Sequence, residues 1–232
     1  MPDKTYIRSL FDSIAGDYDS LNHALSLGTD RLWRRRAVAE ACKGSPRAFL
    51  DVACGTGDLS VALAARAGKS SRVTGVDISG KMLSLVGRKA ARAGVAFQVK
   101  TAVADGENLP YPDESYDVVT CAFGIRNFEH RDRGLAEFLR VLRPGGKVVI
   151  LELSMPQKQG LRRLYNFYLS KILPRIGGWI SGKRKAYQYL AASVNAFPAP
   201  EYFCQEMKDA GFTAVTFRSF SSGLCRMYVG SR

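Results

Sequence analysis

Hydrophobic and polar positions alternate along this chain with three successive rhythms. Over residues 5–18, Ile7, Leu10, Phe11 and Ile14 return at helical spacing and form one stripe. A polar turn region around Tyr18-Asp19-Ser20-Leu21-Asn22 follows, and then a second amphipathic helix over Arg31–Cys42 with Leu32, Trp33 and Val38 as apolar positions. From residue 48 the rhythm changes to short apolar runs separated by helical patterns. Strands are expected near 48–52, 72–76, 95–100, 116–122 and 147–152, and helices near 58–67, 79–93 and 132–142. That alternation predicts a parallel sheet with helices on both faces. Arg143-Pro144-Gly145-Gly146 stops the last of these helices before its strand.

The rhythm breaks over 154–200. Leu161, Leu164, Tyr165, Phe167, Tyr168, Leu169, Ile172 and Leu173 are apolar on more than one face. Gly177-Gly178-Trp179-Ile180 and the basic triplet Lys183-Arg184-Lys185 follow, then Tyr187, Tyr189 and Leu190. This aromatic stretch reads either as a helical hairpin that completes the core or as a substrate lid. A helix over 200–210 ends at Gly211, and Thr213–Ser219 and Arg226–Gly230 form a closing β-hairpin at the sheet edge. The 232 residues make one domain with a helical cover over 1–45 and an inserted lid.

The chemistry gathers at Asp51-Val52-Ala53-Cys54-Gly55-Thr56-Gly57-Asp58, where a strand meets a helix through a glycine turn. In an open parallel sheet, ligands lie where strand C-terminal ends meet helix N-termini. The loop lacks the Gly-Lys-Ser/Thr of a phosphate-binding P-loop, and Ser60 stands where a dinucleotide fingerprint has its third glycine. Asp51 and Asp58 would repel a pyrophosphate. A cationic, phosphate-free cofactor such as S-adenosylmethionine suits these charges. Asp77 closes the next strand 20 residues after Gly57, the offset at which an acid accepts from a ribose. The alternative for Asp77 is a helix N-cap, although Ser79 serves equally well there.

Composition narrows the class. The N-terminus carries no apolar signal region and no apolar run of about 18 residues occurs, so a cytoplasmic address is expected. Cys42, Cys54, Cys121, Cys204 and Cys225 form no close pairs, and the two histidines, His23 and His130, are too few for a zinc site; no metal is expected. A net charge of +13 needs either a solvated face or an anionic partner. A nucleic-acid methyltransferase would fit the pI of about 9.7. However, Ala122-Phe123-Gly124 stands after the fourth strand where an amino-methylating motif belongs, so no nucleic acid is expected. An anionic membrane surface is the remaining partner.

Asp51-x-x-x-Gly55-x-Gly57, Asp77, Asp105 and Leu109-Pro110-Tyr111-Pro112-Asp113-x-Ser115-Tyr116-Asp117 resemble the class I S-adenosylmethionine-dependent methyltransferases. Tyr18-Asp19-x-Leu21-Asn22-x-x-Leu25-Ser26 through Trp33, Phe123-Gly124-Ile125-Arg126-Asn127, and Arg140-Val141-Leu142-Arg143-Pro144-Gly145-Gly146 through Ser154 narrow the resemblance. They match the ubiquinone/menaquinone biosynthesis C-methyltransferase family over almost the whole chain. Leu21, Asp30, Ala122 and Arg143 depart from its usual residues, as does the pair Asp105-Gly106.

The resemblance implies a Rossmann-like, seven-stranded, mostly parallel sheet. It implies S-adenosyl-L-methionine held by Asp51, Gly55, Thr56, Gly57, Asp77, Asp105 and Gly106. It also implies methylation of a ring carbon of a polyprenyl hydroquinone, naphthoquinol or benzoquinol, with Arg126, Asn127 and Tyr187 at the substrate. Arg126 would stabilise a developing phenolate; the alternative is a structural ion pair. Peripheral contact with an anionic membrane and a possible homodimer complete these expectations.

Overall fold

The computed structural model describes residues 3–26, 28–175 and 184–232. Seven strands form one sheet: β1 (Ala48–Val52), β2 (Arg72–Asp77), β3 (Val99–Val103), β4 (Tyr116–Ala122), β5 (Leu142–Leu153), β6 (Thr213–Phe220) and β7 (Cys225–Ser231). Their order is β3-β2-β1-β4-β5-β7-β6. The first five are parallel, and β7 runs antiparallel to both of its neighbours. The order reverses between β1 and β4, which places a crevice at their carboxyl ends.

Both faces of the sheet are covered, so its central strands are apolar throughout. Alternate residues of β1 serve opposite faces. Leu50 and Val52 join Phe138, Phe203 and Tyr228 in one core, under α7 (Arg131–Val141) and α10 (Pro200–Asp209). Phe49 joins Trp33, Leu63, Val73 and Val149 in the other, under α3 (Thr29–Ala41) and α4 (Asp58–Ala67).

Three segments differ from the sequence reading. The polar stretch after the first helix is itself helical: α1 (Lys4–Ile14) is followed directly by α2 (Tyr18–Leu25). The helix expected over 79–93 breaks at Leu85 into α5 (Gly80–Leu83) and α6 (Val86–Arg92). The third strand begins at Val99, because the amide of Gln98 turns back to the carbonyl of Val95. Phe97, whose alternation with Val95 mimics a strand, is 98 % exposed.

The insertion after β5 runs through α8 (Gln159–Phe167), a π-helical turn over Tyr168–Ile172, and α9 (Arg184–Ala196). Leu169, Leu173, Tyr187, Ala191 and Val194 give it a small core of its own. Gly177-Gly178-Trp179-Ile180 and Lys183 lie outside the described residues.

Candidate active site

The glycine loop is shaped by one steric conflict and one hydrogen bond. Gly57 has φ +84°, and a Cβ there would stand 2.7 Å from Val86 Cγ1. Only glycine meets both conditions. Gly55, at φ +56°, donates its amide to Asp77 Oδ2 at 2.9 Å, and Asp77 Oδ1 takes the amide of Ser79 at the same distance. Asp77 therefore holds the loop, while Ser79 caps α5 through its own side chain. Burial pushes the Asp77 carboxyl up.

Asp51 lies beneath the loop. It is fully buried, accepting from Ser60 Oγ at 2.5 Å and Thr120 Oγ1 at 2.8 Å. Burial pushes its carboxyl up to about 6 against those hydrogen bonds. Thr56 Oγ1 donates to Asp19 Oδ1 of α2 and receives Lys89 Nζ.

A cavity of about 690 Å³ opens at the strand ends, and Gly55, Asp77, Asp105, Gly106 and Asn127 all line it. Asp51, Thr56 and Gly57 are not on its wall. Asp51 and Thr56 face a smaller cleft beside it, and Gly57 packs on Val86. Sequence reasoning did not single out Lys4, Ile78, Met82 or Phe128, which also line the cavity. Lys4 reaches from α1 to Asp105 Oδ2 at 2.7 Å and Glu107 Oε2 at 2.9 Å. Ile7 and Phe11 close the same side, and their helical stripe was the signal for this. The wall carries carboxylates and one lysine, with no cluster of cations for phosphate. Such a wall fits a phosphate-free nucleoside bearing positive charge. Among the described residues no group of three His, Cys, Asp or Glu side chains could hold a metal ion.

The turn after β4 packs onto the glycine loop so tightly that a Cβ on Gly124 would lie 2.5 Å from Ala53 Cβ. It delivers Arg126, whose Nη1 pairs with Glu152 Oε1 at 2.7 Å and also donates to the carbonyl of Phe123. Both charged side chains are buried. Desolvation opposes the Arg126 charge, but Glu152 more than offsets it and the guanidinium pKa is raised. Arg126 thus stays charged and takes no proton, while its buried Nε has no hydrogen-bond partner. Asn127 Oδ1 accepts from Tyr189 at 3.0 Å. Tyr187 is buried in the insertion and faces a cavity of about 490 Å³ that Arg126 also lines.

A third cavity, about 1200 Å³, is also lined by Arg126 and is largely apolar. Trp33, Leu153, Tyr165, Leu169 and Leu224 contribute to it from segments remote in sequence. Tyr18 and Phe123 line both this cavity and the one at the strand ends. The family motifs and the lid stretch contain most of these residues, but nothing in them announces that they meet around one cavity.

The model of the ubiE/COQ5 methyltransferase family matches residues 2–232. The ubiquinone/menaquinone biosynthesis C-methyltransferase of Geotalea daltonii is 44 % identical over 226 residues, covering 97 % of this chain and 96 % of that protein. The demethylmenaquinone methyltransferase of Deinococcus radiodurans is 45 % identical over 226 residues, covering 97 % and 92 %. Among solved structures, a SAM-dependent methyltransferase from Thermotoga maritima, described as a possible histamine N-methyltransferase, superposes with TM-score 0.64. It is 19 % identical and the match covers 96 % of this chain and 98 % of that one, which establishes the fold. With a full-length family match and relatives this similar, the chain belongs to the ubiE/COQ5 methyltransferase family.

Proposed function

We propose that this chain transfers the methyl group of S-adenosylmethionine to a ring carbon of a polyprenylated demethylmenaquinol, forming menaquinol. The observation that carries this reading is the junction of the two cavities. Tyr18 and Phe123 line both, so a nucleoside held at the strand ends meets a bulky apolar substrate at one point, beside Arg126. The names of the relatives supply the quinone class.

The cofactor supplies an electrophilic methyl on a sulfonium. Asp77 would accept from its ribose and Asp105, beside Gly106, from its adenine; Gly55, Thr56 and Gly57 form the loop, and Asp51, bonded to Ser60 and Thr120, lies beneath it. Arg126 directs its unpartnered Nε–H to the quinol oxygen and stabilises the phenolate as the proton leaves. Asn127 and Tyr187 hold the ring. What remains is positioning, with ring carbon and methyl held about 3–3.5 Å apart and in line. The apolar cavity excludes water and receives the polyprenyl tail.

The segment over 154–200 is a lid that rests on anionic membrane. Leu164 and Phe167 of α8 are 65 % and 56 % exposed, and Arg162 and Arg163 flank them. The proposed contact is peripheral; no helix among the described residues is long and apolar enough to cross a bilayer.

The test is methyl transfer from labelled cofactor to demethylmenaquinol and, in parallel, to a polyprenyl benzoquinol, the substrate class of the ubiquinone route. Preferential labelling of the naphthoquinol is expected. Labelling of the benzoquinol alone would reassign the ring, and labelling of neither would overturn the reading. Flotation with anionic vesicles is expected to carry the protein upward, less so as salt screens the contact.

A further inference from the structure

We infer that Asp30 and His23 form a relay carrying the proton released by methylation from the apolar cavity to solvent. The inference rests on the ring methylation proposed above. That reaction replaces a ring C–H by C–CH3. The quinol O–H gives up its proton, the C–CH3 bond forms as the C–S bond breaks, and the ring C–H proton then restores the hydroxyl. One proton per turnover must leave a cavity built to exclude water.

The cavity wall offers few places for it to go. Arg126 and Arg34 are cations, and burial raises Tyr18, Tyr165 and Tyr168, so none of them accepts a proton near neutrality. Asp30 is the one carboxylate on that wall among the described residues, and its side chain is 4 % exposed. Its Oδ1 accepts from Ser26 Oγ at 2.8 Å; its Oδ2 accepts from Arg34 and lies 2.8 Å from His23 Nδ1. The His23 ring is 25 % exposed. One hydrogen bond therefore spans the distance from buried wall to water.

Sequence and local structure explain the placement. Tyr18 and Asn22 of α2, with Ser26 just past its end, recur every fourth residue and line the cavity, and His23 is one step round the helix from Asn22. Asp30 sits in the first turn of α3, where the helix dipole favours an anion. Burial alone would push its carboxyl up, but Ser26, Arg34 and His23 together hold it below the usual range. Asp30 consequently does not retain the proton. The imidazole takes it at Nδ1, in the tautomer that leaves that nitrogen unprotonated, and gives one up to water from Nε2. From α3, Asp30 faces His23, and Arg34 reaches the same carboxylate oxygen. Asp19, on α2 itself, turns instead to Thr56 and Lys89.

The experiment uses full-length protein with demethylmenaquinol and cofactor. His23→Gln is expected to lower kcat roughly a hundredfold, the usual scale for a lost proton acceptor, with KM and cofactor affinity little changed. The acid limb of the wild-type pH profile is expected to vanish, and free imidazole should restore part of the rate of His23→Ala. A His23→Gln enzyme with wild-type rate and profile would overturn the inference, as would a loss in His23→Ala that imidazole does not relieve. A readout independent of turnover comes from histidine-labelled protein, which shows two rings, one assigned by His130→Gln. Asp30→Asn is expected to shift the His23 titration and not that of His130. If it shifts neither, the pair does not exist in solution. An inactive wild type would instead count against the methylation itself, with the titration still deciding the pair.

Discussion

The cavity at the strand ends and the apolar cavity beside it share two residues but were assembled in opposite ways. The first is built from consecutive turns of one sheet, Gly55, Asp77, Asp105 and Gly124, each delivered by the end of a strand. Its polar groups are acids satisfied by backbone amides or by Lys4. The second is a gap between surfaces: α2, α3, the end of β5, the insertion and the turn at 221–224. Its wall is mostly carbon, and the charged residues on it are Arg126 and the pair Asp30 and Arg34. A parallel sheet thus defines a small-ligand site almost by topology, whereas a pocket for a long apolar ligand depends on how remote helices happen to meet.

The sharpest way to break this comparison is to strike Arg126, which lines the apolar cavity and donates to the carbonyl of Phe123, a residue both cavities share. Arg126→Met leaves Glu152 buried without its cation. Removing one partner of a buried pair typically costs about 3–5 kcal/mol. Both cavities are expected to suffer, with a large fall in the urea midpoint and loss of methyl transfer. The double variant Arg126→Met/Glu152→Leu should recover most of the stability and none of the activity. Recovery of both would make the pair purely structural, the alternative the sequence left open.

Asp51 separates the two cavities next, since it lines neither and ties α4 to β4 beneath the glycine loop through Ser60 and Thr120. Its pKa in the fold, about 6, lies above its ordinary 3.8, so the folded state holds a proton that the unfolded chain has lost. The stabilising term is complete below pH 3.8 and disappears as pH rises through 6, a loss of about 3 kcal/mol. Other acids, Asp30 and Glu137 among them, shift downward and act oppositely, so a difference is what must be read. Urea unfolding from pH 4 to 7 is expected to show wild type falling relative to Asp51→Asn. A constant difference would remove the shifted acid from the account of the loop.

Asp77→Ala cuts the loop from above, freeing the amides of Gly55 and Ser79. Calorimetry is expected to show S-adenosylmethionine bound roughly a hundredfold more weakly, about 2.8 kcal/mol. Binding of a quinone analogue in the apolar cavity should be unchanged; a matching loss there would mean that the cavities are coupled through the loop.

These contrasts explain what could be read in advance. The glycine turn, the acid 20 residues on, and the alternation of β and α patterns are local, and each maps onto a strand end. Asp51 shows the limit even there: spacing put a carboxylate at the strand tip, but only packing shows it facing Ser60 and Thr120 instead of the cavity. Arg126 was legible as a position and an ion pair was weighed for it, but its partner, Glu152, 26 residues away, was not named. The apolar cavity was legible in part: the stretch read as a possible substrate lid supplies Tyr165, Tyr168, Leu169, Leu173 and Leu190, while Trp33, Leu153 and Leu224 look like ordinary core residues until their elements meet. The His23–Asp30 contact spans seven residues and two helices, across a stretch read as a turn.

The smallest expected effect falls on the seam between α1 and the sheet, where Lys4 bridges Asp105 and Glu107. Its side chain is 36 % exposed, so the ion pairs contribute at most about 1 kcal/mol to folding. Their kinetic role is larger. Lys4→Met unpins the first turn of α1 and should quicken release of S-adenosylmethionine about fivefold, a barrier change of about 1 kcal/mol. It also uncovers two carboxylates, which attract a cationic ligand and quicken its entry. The two changes oppose each other in the equilibrium, so stopped-flow rates are expected to move while affinity hardly does. Salt should mimic the substitution in wild type by screening the seam, and should do less in the variant. The apolar cavity, closed by carbon contacts of α8 and α9, should give quinone dissociation rates indifferent to the same salt step. Equal salt sensitivity at both sites would erase the distinction between a cavity latched by charge and one closed by packing.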